Sequence, residues 1–322
     1  MNKIYCEFIN LLSDICIREI HDGILLSGGL DSSILAYHTR PRDSITITMD
    51  KNSPDYFYSS LLAKKKYSVN HHKISISYEE ILTNIGELIK EFKTFDPIFL
   101  KNSVVQLIGF KNAKKLNVSS IVIGDGADEL FAGYNFLHKY IDEPLKLHQK
   151  INYIIQNMDF ISIKLANKLK LKIFLPFLEK DIIEFSKNIT IEKKISKYNE
   201  IFYGKFFLRE CYEDILGKEL VWRKKTALEI GSGVTNLKYY IDNKIVSDYE
   251  YSEGVIKAKS EGVEIRNKEH FYFYKIYRKF FKPPFEDKSV VNMTKECQYC
   301  KSIFAWKGNF CKVCGAFPVF FN

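Results

Sequence analysis

Two sets of residues have the types and spacing that chemistry needs. Ser27-Gly28-Gly29-Leu30-Asp31-Ser32-Ser33 follows the apolar run Ile24-Leu25-Leu26 and leads into Ile34-Leu35-Ala36. Strand, glycine turn and helix start in that order bring backbone N–H groups and two or three hydroxyls to a helix N-terminus, where negative charge is favoured. This is an anion cradle suited to phosphate. It has neither the spacing nor the lysine of a Walker loop and is not the dinucleotide fingerprint; an ordinary glycine turn with a serine cap is the alternative. The second set is Cys297-x-x-Cys300 and Cys311-x-x-Cys314, with ten residues between the pairs. Each pair can present two thiolates to one tetrahedral ion, which points to zinc, with disulfide, redox or iron–sulfur use as the other options. So short a module needs its metal to fold.

The elements that position these groups can be read from periodicity. Residues 1–21 have helical spacing at Ile4, Phe8, Leu11, Leu12, Ile15 and Ile20. Short apolar runs at 24–26, 45–49, 72–76 and 121–124 alternate with helical patterns at 57–68, 78–92 and 103–116. That rhythm predicts an α/β fold with a doubly wound parallel sheet. From about 145 to 282 strand signals fade and Lys-rich helical faces dominate, predicting a helical lobe. Pro283-Pro284 and the charged residues 286–288 mark a boundary before the cysteine module. The expected organisation is an N-terminal helix (1–21), an α/β core (22–144), a helical lobe (145–288) and a zinc ribbon (289–322).

With 322 residues, 46% hydrophobic and 27% charged, the chain can build a large core, which excludes disorder and disulfide-stapled miniproteins. The net charge of +9 suits an anionic ligand such as nucleotide or nucleic acid. Neither a signal peptide nor an apolar run of ~18 residues is present, so no membrane association is expected and a cytoplasmic location follows. Cys6, Cys16 and Cys211 are scattered, and His71-His72 reads as structural.

Ser-Gly-Gly-x-Asp-Ser-Ser resembles the pyrophosphatase loop of ATP-dependent amidotransferases, thiolases and related AMP-forming ligases. Gly124-Asp125-Gly126-Ala127-Asp128-Glu129-Leu130-Phe131-Ala132-Gly133-Tyr134 narrows this: it resembles the synthase domain of asparagine synthetases. Similarity continues through Leu175-Pro176-Phe177-Leu178, Leu208-Arg209-Glu210-Cys211 and Val221-Trp222-Arg223-Lys224-Lys225 to Lys275-Ile276-Tyr277, covering roughly 20–282. The resemblance implies an adenine nucleotide α-hydrolase-like fold and an amide ligase that forms an acyl-adenylate, AMP and pyrophosphate. It implies that ATP is held by Leu26, Ser27, Gly28, Gly29, Asp31, Ser32, Ser33, Gly124 and, at adenine, Thr48 or Met49. It further implies that Asp31 and Asp128 coordinate magnesium and that Lys225 neutralises phosphate or an oxyanion. Asp125 stands where the family has glutamate, to orient or deprotonate the attacking amine, and Glu129 lies near the acceptor. The structural alternatives are a helix cap for Asp31, a solvent-facing Asp128, a loop-bridging Glu129 and a solvated basic face for Lys225.

Three departures bear on the substrate. No catalytic cysteine follows Met1-Asn2, so the glutaminase half is not expected and nitrogen should come from ammonium, a separate ammonia-supplying glutaminase or an amine on the substrate. Lys172-Ile173-Phe174 lacks the family's arginine, with Glu179 in place of aspartate. Lys101 replaces an arginine, which loses bidentate carboxylate recognition. The chemistry looks kept and the acceptor changed. In the cysteine module Tyr299, Phe304, Trp306 and Phe310 interleave with Lys301, Lys307 and Lys312, a pattern suited to RNA, although such a ribbon is equally a brace. The leading expectation is a carboxylate acceptor on a modified tRNA nucleoside, converted to an amide or a nitrile. The alternatives are ammonia-dependent asparagine synthesis from free aspartate, a zinc-containing tRNA thiolase using Cys211, and a non-catalytic nucleotide- or RNA-binding adaptor.

Overall fold

The computed structural model describes residues 2–286, 295–304 and 309–319, which divide into two compact units. The first comprises residues 1–75 with 106–227, the second 76–105 with 228–322.

In the first unit, strands β1 (Gly23–Leu25), β2 (Asp43–Thr48), β3 (Asn70–Ser75), β4 (Ser120–Val122) and β5 (Lys172–Phe174) form one parallel sheet in the order β3-β2-β1-β4-β5. This is the expected doubly wound α/β arrangement. Its strand order reverses between β1 and β4, and open α/β sheets bind ligands beyond the carboxyl ends of their strands at such a point. β2, flanked on both sides, is buried along its whole length, whereas the edge strand β3 is not. Behind the sheet, the helix Lys3–Cys16 buries Phe8, Leu12 and Ile15 against Phe131, Phe177, Phe207, Leu208 and Tyr212. Phe8 meets Phe131 and Phe207 edge to face at 5.6 and 5.4 Å, a geometry that adds to area burial.

From 145 to 282, where the strand signals fade in the sequence, helices dominate but three short strands remain. β5 is three residues long, too short to show a period, and strands β6 (Ile195–Tyr198) and β7 (Ile201–Gly204) form an antiparallel hairpin. Its two-residue turn needs positive φ at both positions, met by Asn199 (49°) and Glu200 (62°). The usual Asn-Gly signature is hidden by the glutamate. The first helix stops at Cys16, short of residue 21, and the helix expected at 103–116 starts earlier, at Pro97.

The second unit contains the helices Tyr78–Phe92, Asp248–Ser260 and Lys268–Tyr277, capped by Ser77, Ser247 and Asn267 through their side-chain oxygens. Phe95 is fully buried against His270, Tyr274 and Tyr277, with ring centroids 5.0–5.2 Å away. The cysteine module is stitched into this unit by main-chain groups. Val313 O accepts from Phe95 N (2.8 Å) and Thr94 Oγ1 (3.1 Å), and Tyr299 O accepts from Glu264 N (2.7 Å). Arg266 donates to Cys314 O and Gly315 O at 2.6 and 2.9 Å. Among the described residues, no helix is long and apolar enough to cross a membrane.

Candidate active site

The chain leaves β1 at Leu25, and Leu26 N still bonds Ile45 O (2.8 Å) before the glycine turn begins. Gly28 has φ +67°, and a Cβ there would lie 2.5 Å from the Tyr58 backbone and 2.6 Å from Ser59 N. Only glycine fits such a position. Ser27 Oγ accepts from Gly29 N (3.1 Å) and lies 3.2 Å from Ser32 Oγ, while Ser33 Oγ donates to Gly29 O (2.6 Å). The helix Leu30–Thr39 starts here with no side-chain cap, leaving its first N–H groups for a ligand. Arg223 fixes the turn from outside, donating to Ser27 O (3.1 Å) and to Asp55 Oδ1 (2.7 Å). Burial pushes the Asp55 carboxyl up to about 6, with the guanidinium pulling the other way.

Opposite the turn, Gly124 follows β4 so closely that a Cβ would meet Asp31 Cβ at 2.8 Å. The short helix Ala127–Leu130 then presents Asp128 and Glu129. Asp31 Oδ2 lies 2.5 Å from Lys205 Nζ, Asp128 Oδ1 lies 2.7 Å from the same ammonium, and Asp128 Oδ2 accepts from Lys225 Nζ at 2.6 Å. Burial alone would raise Asp128, but Lys205 and Lys225 hold it well below the usual carboxylate range. Burial likewise disfavours the Lys225 ammonium, and Asp128 and Asp31 overcome this and raise its pKa. Asp31 Oδ1 is buried with no hydrogen-bond partner. A hard anionic oxygen of this kind, with Asp128 nearby, fits magnesium.

Asp125 is pushed up to about 6, mainly by burial, although it accepts a hydrogen bond from Ser162 Oγ at 2.5 Å. Glu129 is also raised by burial, while Tyr134 OH donates to its Oε1 at 2.5 Å. Carboxyl groups with raised pKa values can trade a proton near neutral pH.

Of the residues expected from sequence, Leu26, Ser27, Gly28, Gly29, Asp31, Ser32, Ser33, Gly124, Asp125, Asp128, Glu129 and Lys225 thus gather around the carboxyl ends of β1 and β4. Met49 follows the carboxyl end of β2, its carbonyl accepting from Ser75 Oγ (3.2 Å). Sequence reasoning missed Lys205, which is 3% exposed and bridges the two carboxylates expected to hold the metal. The signal was a lysine inside the apolar run Tyr203-Gly204-Lys205-Phe206-Phe207-Leu208. Gly133 makes room for it: a Cβ there would sit 2.0 Å from Asp128 Oδ1 and 2.3 Å from Lys205 Cε. Lys101 belongs to a buried ion pair with Glu269 (3.1 Å) in the second unit. The exposed Lys172 pairs with Glu19 at 2.5 Å. Cys211 lies in the apolar core, and burial drives its thiol well above the ordinary range, against a nucleophilic role.

In the second unit, Cys297, Cys300, Cys311 and Cys314 are buried, with their sulfurs all within 4.8 Å of one another. Cys297 Sγ is 3.8 Å from Cys314 Sγ, and Cys300 Sγ is 3.7 Å from Cys311 Sγ. Tetrahedral zinc with bonds of ~2.3 Å has sulfur edges of about 3.8 Å, so the four thiols fit that ion. Two matching turns build the group: Lys301 N bonds Cys297 O, and Gly315 N bonds Cys311 O, each at 2.8 Å. The residue after each second cysteine has positive φ, 60° at Lys301 and 74° at Gly315. Of the aromatic and basic residues noted in the module, Trp306 and Lys307 lie outside the described residues, as does the side chain of Phe304.

The parallel sheet reverses at β1 and β4, and there the serine–glycine turn faces the carboxylate–lysine cluster, the arrangement of an open α/β fold with its ligand crevice at the switch point. The asparagine synthase family model matches residues 21–174 and 164–275, and the chain belongs to that family. It is 26% identical over 320 residues to the root asparagine synthetase [glutamine-hydrolyzing] of Pisum sativum, covering 90% of this chain and 54% of that protein. Against the asparagine synthetase [glutamine-hydrolyzing] of Mus musculus the identity is 28% over 308 residues, covering 87% and 52%. The Gallus gallus protein of that name is 26% identical over 283 residues, covering 80% and 49%. The chain spans about half the length of the curated relatives it matches.

Proposed function

We propose that this chain adenylates a carboxylate with ATP, releasing pyrophosphate, and then transfers nitrogen to the acyl-adenylate, releasing AMP. The observation that carries the reading is the Asp31–Lys205–Asp128–Lys225 cluster facing the Ser27–Ser33 turn in a member of this family. The hydroxyls of Ser27, Ser32 and Ser33 and the N–H groups of the turn hold pyrophosphate, Leu26 and Gly124 flank the nucleotide, and Met49 meets adenine. Asp31 and Asp128 would hold magnesium, which supplies charge neutralisation at the phosphates. Lys225 sits at the edge of the cluster to follow charge onto the leaving oxygen. Asp125, with Glu129 beside it, takes the proton that the attacking amine sheds. In this division of labour the segment 22–144 brings the turn and the carboxylates, and 145–288 adds Lys205 and Lys225. The cysteines of 289–322 hold zinc, and the protein works in the cytoplasm.

The acceptor we propose is a carboxylate on a tRNA nucleoside, with an amide or nitrile as product. The net charge of +9 and the aromatic and basic residues Tyr299, Lys301, Phe310 and Lys312 of the cysteine module support it. The relatives named above are glutamine-hydrolyzing, which supports a separate glutaminase as the source of ammonia. The test is AMP and pyrophosphate release by zinc-replete protein with magnesium and ammonium, comparing bulk tRNA with a panel of free amino acids. AMP that depends on tRNA is the expected result. AMP that depends on aspartate alone returns the chain to asparagine synthesis and refutes the tRNA reading.

A further inference from the structure

Beside the phosphate turn, and wholly within the first unit, lies a groove of about 620 Å³, within the roughly 300–1,000 Å³ of small-ligand sites. Its aromatic lining is Tyr58, Tyr198, Tyr203 and Trp222, and Lys218, Lys224 and Glu219 stand at its margin. The rings of this platform are held by one another. Tyr198 and Trp222 stack in parallel with centroids 3.8 Å apart, Tyr203 meets the indole edge-on at 5.3 Å, and Trp222 Nε1 donates to Glu213 Oε2 at 2.6 Å. Arg209 lies over Tyr203 at 4.8 Å and donates to Arg223 O at 3.1 Å. The Arg223 side chain in turn reaches Ser27 O. One chain of contacts therefore runs from the aromatic platform to the phosphate turn.

The catalytic cluster uses none of these rings. Their chemistry selects a planar ring, and Lys224 and Lys218 select a negative charge attached to it; Arg223 is already committed to Asp55, Lys218 lies 3.6 Å from Glu213, and Glu219 counts against. We infer that this groove seats a nucleobase and backbone phosphate of a single-stranded RNA acceptor, positioning the modified nucleotide for adenylation. Base stacking on aromatic side chains with lysines tracking the backbone is how sequence-tolerant single-strand sites work. The inference rests on the RNA reading of the acceptor given above.

The experiment is fluorescence anisotropy of the full chain with a labelled single-stranded RNA decamer over a salt series, alongside tRNA-dependent AMP release. Tyr198→Ala is expected to weaken decamer binding about 10-fold or more, and Tyr198→Phe, which keeps the ring, to restore it. Lys224→Glu, on an exposed side chain, is expected to weaken binding and to lower the salt slope by about 0.7 or more. ATP binding should be unchanged in all three. Decamer binding that these variants leave intact, or that an acidic peptide displaces equally well, overturns the groove inference even where AMP release depends on tRNA. Binding lost in the variants with no tRNA-dependent AMP in the wild type supports the groove and refutes the tRNA acceptor.

Discussion

Replacing Lys205 with methionine keeps the length and volume of the side chain and removes its charge. The ammonium lies 2.5 and 2.7 Å from Asp31 and Asp128, whose side chains are 19% and 18% exposed, while the Lys205 side chain is 4% exposed. These are not surface ion pairs worth ~0–1 kcal/mol. Removing one member of a buried, charged cluster costs about 3–5 kcal/mol, because the partners stay buried without compensation. Lys225 still contacts Asp128 but has no direct bond to Asp31, so the lower half of that range is expected. The pH dependence has a definite sign. Asp128 is depressed in the folded protein, so its stabilisation is complete above the unfolded value of roughly 3.9 and is lost as pH falls through the folded value. Lys205→Met removes part of that depression, so the stability gap between wild type and variant should be widest at neutral pH and should narrow as pH falls below about 4 toward the folded value. Urea unfolding over a pH series from 7 down to about 3 reads this directly. A gap under about 1 kcal/mol at pH 7, or one that widens in acid, would show that Lys205 does not balance the carboxylates as described.

Asp125→Asn should leave ATP-dependent pyrophosphate exchange in place while slowing amide formation about 100-fold or more; wild-type amide formation should rise with pH through about 6, where Asp125 loses its proton. Cys311→Ser, or a strong chelator, should remove one zinc per chain by elemental analysis and lower the melting temperature, with Cys211→Ser as the control that changes neither the zinc content nor AMP release. Gly28→Ala should abolish ATP binding in equilibrium dialysis, since the new methyl would press on the Tyr58 backbone with φ at +67°.

What could be read from sequence follows how local each feature is. The phosphate turn and the Gly124–Tyr134 string are contiguous, so their residue types carried their meaning without three-dimensional context. The four cysteines announced their chemistry by spacing alone. Lys205 did not, because its role comes from Asp31, which is 174 positions away, and from a backbone φ of 55° at the end of a hairpin. That hairpin escaped notice because Glu200 occupies the turn position where glycine is usual. β5 escaped because three residues cannot display an alternation. The seating of the cysteine module on Thr94 and Phe95 was invisible for another reason: the bonds run through main-chain atoms, which every residue type supplies.

That seating has a consequence for how the protein is made. Thr94 emerges from the ribosome 219 residues ahead of Val313, the residue whose carbonyl it meets. Helix Lys268–Tyr277 can fasten the segment 76–105 first, through Phe95 and Lys101, but the bonds of Thr94 and Phe95 to Val313 wait until the cysteine module has been made and its four thiols have gathered. Closing the clasp is then a late event that registers both that the chain has been made past Val313 and, with zinc on the four thiols as proposed, that the cell had metal to spare. A product cut short before the cysteines, or one starved of metal, keeps the first unit's carboxylate–lysine cluster but leaves this clasp of the second unit open, an easy mark for proteases.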